Sequence, residues 1–134
     1  MKKEATEVGA AIIRQGRKVL LARRKVGNLA GLWEFPGGKI ESGESHGQCL
    51  IREIREEFNV EILPGDFVAT SLHESNGEII ILHGYEARHL RGKFQVLEHE
   101  CIEWVYISEL LNWQLAPADI PIAKELIERE RARG

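Results

Sequence analysis

The sequence has only two cysteines, Cys49 and Cys101, and their spacing matches no metal-binding motif. So few thiols favour buried cysteines in a reducing cytosol over a disulfide framework. No stretch has the long apolar run of a signal peptide or of a membrane-spanning helix. The five histidines are scattered, without the pairing of a zinc site. These absences predict a cytoplasmic protein without a membrane segment.

The sequence also lacks an excess of positively charged residues. The chain carries 18 Lys and Arg against 21 Asp and Glu, a formal net charge of -3. A protein that binds nucleic acid through its phosphates needs a basic surface, so no stable nucleic-acid binding is expected. With 134 residues, 43% hydrophobic and 29% charged, the chain is expected to form a single globular domain over 1–134.

Alternating apolar residues predict strands at 8–13, 19–22, 67–72, 79–87 and 101–107. Turns are expected at Gly16, at Asn76-Gly77 and where the run from Trp33 ends at Gly38. Ser108 and Asp119 are candidate caps for a short helix at 109–111 and for a C-terminal helix whose Ile122, Leu126 and Ile127 face inward. Strands mixed with two main helices predict an α/β sandwich.

The central helix has the clearest local signal. Ser45, with Gln48 three residues later, forms a capping box, so a helix is expected to begin there. The apolar side chains of this helix share one flank, which predicts that it docks on a sheet: Leu50, Ile51, Ile54 and Phe58.

Three glutamates of this helix, Glu53, Glu56 and Glu57, fall on its other face at i, i+3 and i+4. Like charges at this spacing destabilise a helix unless a cation lies among them. Three such residues alone would more often form a solvated acidic face. The alternative is a site for a hard divalent cation, and Mg²⁺ is the usual one beside phosphates.

The surrounding residues decide between these alternatives. The segment resembles the Nudix box, G-x5-E-x7-R-E-U-x-E-E-x-G-U with U aliphatic, and the matching positions are Gly38, Glu44, Arg52, Glu53, Ile54, Glu56, Glu57 and Val60. Asn59 replaces the last glycine, and Asn is the next best residue for a left-handed helix end. The resemblance implies the Nudix fold, an α/β/α sandwich with a mixed sheet in which the box forms a loop-helix-loop.

The resemblance also implies functional roles. Glu53, Glu56 and Glu57 are expected to bind Mg²⁺, with Mn²⁺ as a possible substitute and the backbone carbonyl of Gly38 as a further ligand. Arg52 and Glu44 are expected to orient these carboxylates, and the box leaves open which carboxylate is the general base. The catalytic set is therefore expected to include Glu44, Arg52 and Glu53.

Outside the box, the chain is similar to MutT-type members of the family in the runs 32–41 and 115–121. The similarity implies that Glu98 is a metal ligand or general base, with Glu100 as the competing choice. Arg24, and beside it Arg23, are expected to bind substrate phosphates. Asp119 is expected to read the base edge, a role that weighs evenly with helix capping.

Phe35, Leu82 and Trp33 are candidate apolar walls for the base, although such residues more often belong to a core. The resemblance implies hydrolysis of nucleoside triphosphates to a monophosphate and pyrophosphate. The first expectation for the substrate is 8-oxo-dGTP, in sanitation of the nucleotide pool, and the second is CTP or dCTP. A hypothesis of another class is a non-hydrolytic nucleotide or oxidised-base recognition module. The oligomeric state, monomer or dimer, stays open.

Overall fold

The computed structural model describes residues 4–133. These residues form seven strands and two α-helices, and the bounds are β1 Glu4–Gln15, β2 Lys18–Arg23, β3 Trp33–Glu34, β4 Gly37–Lys39, α1 His46–Phe58, β5 Glu61–Ser75, β6 Glu78–Arg91, β7 Cys101–Tyr106 and α2 Ile120–Ala132. Two short 3-10 helices, Ile107–Asn112 and Pro117–Asp119, precede α2. None of the helices in this range is long and apolar enough to cross a membrane.

The sheet is mixed and centres on β1. The strand order is β3-β2-β1-β6-β5, with β4 paired to β1 and β7 paired to β2. Strands β1 and β6 are parallel, whereas the other pairs are antiparallel. A parallel neighbour needs a long crossover connection, and here the chain between β1 and β6 includes β2 to β5 and α1.

Both faces of the central strands are buried because both carry apolar side chains. Ala10 and Ile12 of β1 point into one core, and Ala11 and Ile13 point into the other. Helix α2 covers the first core with Ile122, Leu126 and Ile127, as the sequence predicted. Helix α1 covers the second core with Leu50, Ile54 and Phe58. The fold is therefore α/β, with a mixed sheet between helices, as expected.

Some local predictions were wrong. The run 33–38 contains short strands β3 and β4 where a turn was expected, because residues 37–39 pair with 8–10 of β1. Ser108 lies inside a 3-10 helix that has no side-chain cap. Asp119 stands at the start of α2 but makes no capping hydrogen bond, since its carboxylate is used elsewhere. Cys49 is buried as predicted, whereas Cys101 is only partly buried.

Candidate active site

Helix α1 is fixed at both ends by the residues that predicted it. The Ser45 hydroxyl accepts a hydrogen bond from the Gln48 backbone N–H, and the Gln48 side chain accepts one from Ser45, which completes the capping box. At the other end Asn59 has a φ of 56° and its N–H donates to the Arg55 carbonyl. Both caps satisfy backbone groups that a helix end leaves open, so the acidic face has a defined orientation.

Strand β4 brings the glycine pair beneath this helix. A β-carbon on Gly37 would overlap the backbone of Gly9 in the neighbouring strand. A β-carbon on Gly38 would overlap the carboxylate of Glu53. Neither glycine has a positive φ, so the backbone conformation does not require glycine at these positions. Glycine is required because Gly9 and the Glu53 carboxylate leave no room for a β-carbon.

The Arg52 guanidinium joins the first and second acids of the box, Glu44 and Glu53. Its Nε and Nη2 donate to the two oxygens of Glu44 at 2.7 and 2.9 Å, and its Nη1 donates to Glu53 at 2.7 Å. Its Nη2 also donates to the Lys39 carbonyl at 3.0 Å. Hydrogen bonds from Arg52 lower the pKa of Glu44 to about 2. Arg52 thus holds the Glu53 carboxylate by a charge-assisted hydrogen bond, and the orienting role of Arg52 and Glu44 stays a prediction.

Glu57 is the most unusual side chain of the site. It is 4% exposed, and neither carboxylate oxygen has a hydrogen-bond partner among residues 4–133. Burial, together with the negative charges of Glu53, Glu34 and Glu98, raises the pKa of Glu57 to about 10. A buried carboxylate without a donor is costly unless a proton or another cation compensates its charge.

A chain of polar side chains leads from Glu57 across the site. His99 Nδ1 lies 3.6 Å from a Glu57 oxygen, and its Nε2 lies 2.9 Å from Glu34. Glu34 in turn accepts a hydrogen bond from Arg24 Nη1 at 2.8 Å. The Nε of Arg24 is buried and has no acceptor in the described part of the chain.

The loop before β7 places the two downstream glutamates differently. The Leu97 N–H donates to the Glu57 carbonyl, so the loop is tied to the end of α1. Glu98 is exposed and acts electrostatically on Glu57. Glu100 instead lies 3.5 Å from Arg23 in an exposed ion pair, and Arg23 Nε donates to the Gly31 carbonyl. The placement favours Glu98 over Glu100 as the additional acid, and its role stays a prediction.

Asp119 lies on the far side of the same region. It is 4% exposed and accepts a hydrogen bond from the Phe35 backbone N–H at 2.9 Å. Burial and the charge of Glu34 raise its pKa well above the usual value, and Arg24 acts in the opposite direction. Hydrogen bonds between Trp33 and the segment 114–116 bring this part of the chain beside β3.

The predicted apolar walls belong mainly to the core. Phe35 is 3% exposed and Leu82 is 5% exposed, and both pack in the core that α2 covers. Trp33 is partly buried against this core and meets Trp113 edge-on, with ring centroids 4.8 Å apart. Trp33 therefore has more surface left for a ligand than the other two.

The donor set of the acidic helix fits a hard divalent cation. Carboxylate oxygens and a backbone carbonyl are the ligands that Mg²⁺ prefers, and the buried oxygens of Glu57 have no other partner in residues 4–133. In their present rotamers, no three His, Cys, Asp or Glu side chains of the described residues are grouped closely enough to hold an ion. Arg52 now holds Glu53 and lies 3.7 Å from Glu56, so ligation would require these side chains to rotate.

The fold and site together define an α/β protein with a glycine strand packed under an acidic helix. A family model described as NUDIX domain matches residues 3–126, so the chain belongs to the Nudix hydrolase family.

Three similar proteins illustrate this membership. "CTP pyrophosphohydrolase" of Escherichia coli (strain K12) is 44% identical over 128 residues, 95% of each chain. "8-oxo-dGTP diphosphatase" of Haemophilus influenzae is 30% identical over 129 residues, also 95% of each chain. The solution structure of the E. coli ORF135 protein has a TM-score of 0.88 at 42% identity and covers 98% of this chain and 94% of its own.

Sequence reasoning did not identify Glu34 and His99 as members of the site. Each is the sequence neighbour of a candidate site residue: Glu34 follows Trp33, and His99 follows Glu98. The sequence contained one indication of a role for Glu34, which lies between Trp33 and Phe35. A charged residue among aromatic residues needs a polar partner if it is buried. The partner could not be identified, since His99 is 65 residues away in the sequence.

Proposed function

We propose that this protein is a Mg²⁺-dependent nucleoside triphosphate pyrophosphohydrolase that releases a nucleoside monophosphate and pyrophosphate. The observation that carries the proposal is the buried carboxylate of Glu57, which has no hydrogen-bond donor in residues 4–133 and interacts with Glu53, the side chain that packs on Gly38. A cation bound there would lie against a polyphosphate and neutralise its charge.

The protein's own residues have distinct roles in this proposal. Glu53, Glu56, Glu57 and the Gly38 carbonyl would hold the cation, and Mn²⁺ would substitute for Mg²⁺. Arg52 holds Glu53 in place and is itself gripped by both oxygens of Glu44. Glu98, exposed near Glu57, would complete the metal site or accept the proton of the attacking water.

The unpaired Nε of Arg24 provides a donor for the substrate. It is buried and has no acceptor among the described residues, while Nη1 of the same guanidinium donates to Glu34 and its charge acts on Asp119. A guanidinium with a free N–H can bind a phosphate oxygen, as proposed for Arg24, with Arg23 on the adjacent rim. Arg23 is less available, because it already contacts Gly31 and Glu100.

For the base we favour cytosine, so that CTP and dCTP are the proposed substrates. The relative named for CTP is 44% identical over 95% of the chain, compared with 30 to 37% for relatives named for 8-oxo-dGTP. Asp119 is compatible with this choice, because both the ionised and the protonated carboxyl group can accept from an exocyclic amine such as cytosine N4–H₂. This order reverses the first expectation from the sequence.

A second candidate substrate is 8-oxo-dGTP, and the environment of Asp119 supports keeping it. The raised pKa of Asp119 favours a protonated carboxyl group, which can donate to one base atom and accept from its neighbour. Such a group matches N3 and N4 of cytosine, and it also matches O6 and the N7–H of 8-oxoguanine. Asp119 alone therefore does not separate the two bases.

The test is a panel of CTP, dCTP and 8-oxo-dGTP with Mg²⁺, in which pyrophosphate and orthophosphate are measured separately. We expect pyrophosphate as the product and the highest kcat/KM for a cytosine nucleotide. Glu53→Gln should abolish release, whereas Glu128→Gln, on the exposed side of α2, should not. A higher kcat/KM for 8-oxo-dGTP would overturn the choice of base, and orthophosphate release would overturn the proposed bond cleavage.

A recognition module without hydrolysis is the alternative of another class. The full set of box carboxylates argues against it, because such a module has no need for metal ligands. Nucleotide binding that is independent of Mg²⁺ and yields no pyrophosphate would support it. We further propose that the enzyme acts as a single domain in the cytoplasm, in keeping with its two free cysteines.

A further inference from the structure

His99 occupies a position between the two acidic parts of the site. Backbone hydrogen bonds hold its loop on both sides, from Leu97 to the end of α1 and from Glu100 to the end of β2. The side chain is 8% exposed. Its ring stacks on Phe58 with an angle of 5° between the planes and 5.5 Å between the centroids. The ring plane is therefore set by the core.

One edge of the ring is anchored. Nε2 lies 2.9 Å from Glu34, whose carboxylate is also bound by Arg24 at 2.8 Å. An ionised carboxylate can only accept, so Nε2–H is the donor of this hydrogen bond. Glu34 is thereby fixed by two donors from different elements, and the ring cannot turn without breaking one of these contacts.

The other edge faces Glu57. Nδ1 is 3.6 Å from Glu57 Oε1, which is beyond hydrogen-bond length. Both atoms are buried, and neither has a hydrogen-bond partner within residues 4–133. Buried polar atoms are rarely left unpaired. Because Nε2–H already donates to Glu34, a hydrogen bond between Nδ1 and Glu57 needs one further proton between these two atoms, and a small rotation of Glu57 would bring them within hydrogen-bond distance. The gap thus lies between an anchored ring and a buried carboxylate whose oxygens have no hydrogen-bond partner within residues 4–133.

We propose that His99 is a positioning residue that orients the carboxylate of Glu57 for the divalent cation and links it through Glu34 to Arg24. This inference rests on the proposed function. Groups that hold metal-ligating side chains from behind affect metal affinity by about 10- to 100-fold. His99 would thus connect the metal side of the site to the side where Arg24 and Asp119 lie.

The test uses Mn²⁺ alone as the probe, titrated into nucleotide-free protein and followed by electron paramagnetic resonance and calorimetry. His99→Phe keeps the ring stacked on Phe58 and removes both nitrogens. We expect Mn²⁺ binding to weaken by about 10- to 100-fold, with a changed resonance line shape. His99→Gln keeps a donor within reach of Glu34 and should lose less affinity.

The matched control is His89→Phe. His89 is half-buried, packs against Phe94 and contacts the Gly92 carbonyl, and none of its contacts is with a carboxylate of the site. Because it touches no proposed metal ligand, His89→Phe should change Mn²⁺ affinity by no more than about twofold. Thermal unfolding of each metal-free variant checks folding, and if His99→Phe does not fold, His99→Gln carries the test.

The outcomes separate the two proposals. A folded His99 variant that binds Mn²⁺ as tightly as the parent would overturn the positioning role, as would an equal loss in His89→Phe. These results would leave pyrophosphate release by the parent intact. Conversely, a parent whose Mn²⁺ affinity depends on His99 but that releases no pyrophosphate from any nucleoside triphosphate would overturn the proposed function alone.

Discussion

Gly38 and Glu53 lie so close together that no β-carbon fits between them. The carboxylate of Glu53 packs directly on the backbone of strand β4, which brings the Gly38 carbonyl close to the acidic helix. The contact joins the loop and helix portions of the Nudix box in space. A substitution that disrupts this contact should impair function while the protein still folds.

The first prediction compares the two neighbouring glycines. Gly38→Ala would displace the Glu53 side chain, which can rotate, so the protein should fold and lose at least about tenfold in kcat/KM, the lower range for a misplaced ligand. Gly37→Ala would collide with the backbone of β1, which cannot move without breaking the sheet. It should lower the unfolding free energy by about 3 kcal/mol or more. Circular dichroism melts and pyrophosphate release distinguish the two, and a soluble, stable Gly37→Ala would contradict the prediction.

The second prediction concerns Arg52, whose guanidinium donates to both Glu44 and Glu53. Arg52→Lys replaces a planar fork by a single ammonium, which cannot grip both oxygens of Glu44 and also reach Glu53. We expect kcat/KM to fall by about 10- to 100-fold with little change in melting temperature.

The control for Arg52→Lys is Arg55→Lys, on the same helix. Arg55 binds both oxygens of Glu61 but is 56% exposed and lies outside the site. Arg55→Lys should change activity by no more than about twofold, because exposed ion pairs contribute little. Equal losses in the two variants would show that α1 stability, and not the orientation of Glu53, accounts for the effect.

The third prediction is a pH dependence of the metal-free protein. The pKa of Glu57 is about 10 in the folded state, above its ordinary value of 4.5. The folded protein then binds a proton that the unfolded chain releases, so the stabilisation is complete below pH 4.5 and is lost as the pH rises toward 10. The slope is at most about 1.4 kcal/mol per pH unit for one proton.

Glu57→Gln should flatten this dependence, because the amide is always neutral. Glu56→Gln is the matched control, since the Glu56 side chain is 55% exposed. Urea unfolding at several pH values, with a chelator present, measures the effect. Mg²⁺ should restore stability at high pH in the parent but not in Glu57→Gln. An unchanged slope in Glu57→Gln would assign the effect to another group.

The fourth prediction concerns the helix end at Asn59. Its φ of 56° is left-handed, where a β-carbon costs about 1 to 2 kcal/mol. Asn59→Ala should therefore lower the unfolding free energy by about 1 kcal/mol, whereas Asn59→Gly should change it by less than about 0.5 kcal/mol. Activity should be unaffected in both. If Asn59→Gly were markedly less stable than the parent, the side chain would have a role beyond backbone conformation.

The local features of the sequence predicted the local structure well. Ser45 and Gln48 predicted the start of α1, and the positions of Leu50, Ile54 and Phe58 predicted which face is buried, because both depend on residues within a few turns. The length of β5 was underestimated. It contains Pro64 and several register irregularities, which an edge strand tolerates because its outer N–H groups need no partner.

Predictions that depend on distant contacts were less successful. Asp119 was a candidate cap of the C-terminal helix because the residues after it begin that helix. Its carboxylate instead accepts a hydrogen bond from the backbone N–H of Phe35, 84 residues earlier. Glu34 and His99 meet only because β2 pairs with both β3 and β7. No spacing rule connects such residues without the sheet register.

The unequal burial of the two thiols has a practical consequence. Cys49 is enclosed between α1 and β4, and burial raises its pKa to about 11, so alkylating reagents should spare it. Cys101 is partly accessible at the start of β7, two residues after His99. Cys101 thus offers an attachment point for a fluorophore beside the candidate site, and ligand binding could be followed optically without engineering a new residue.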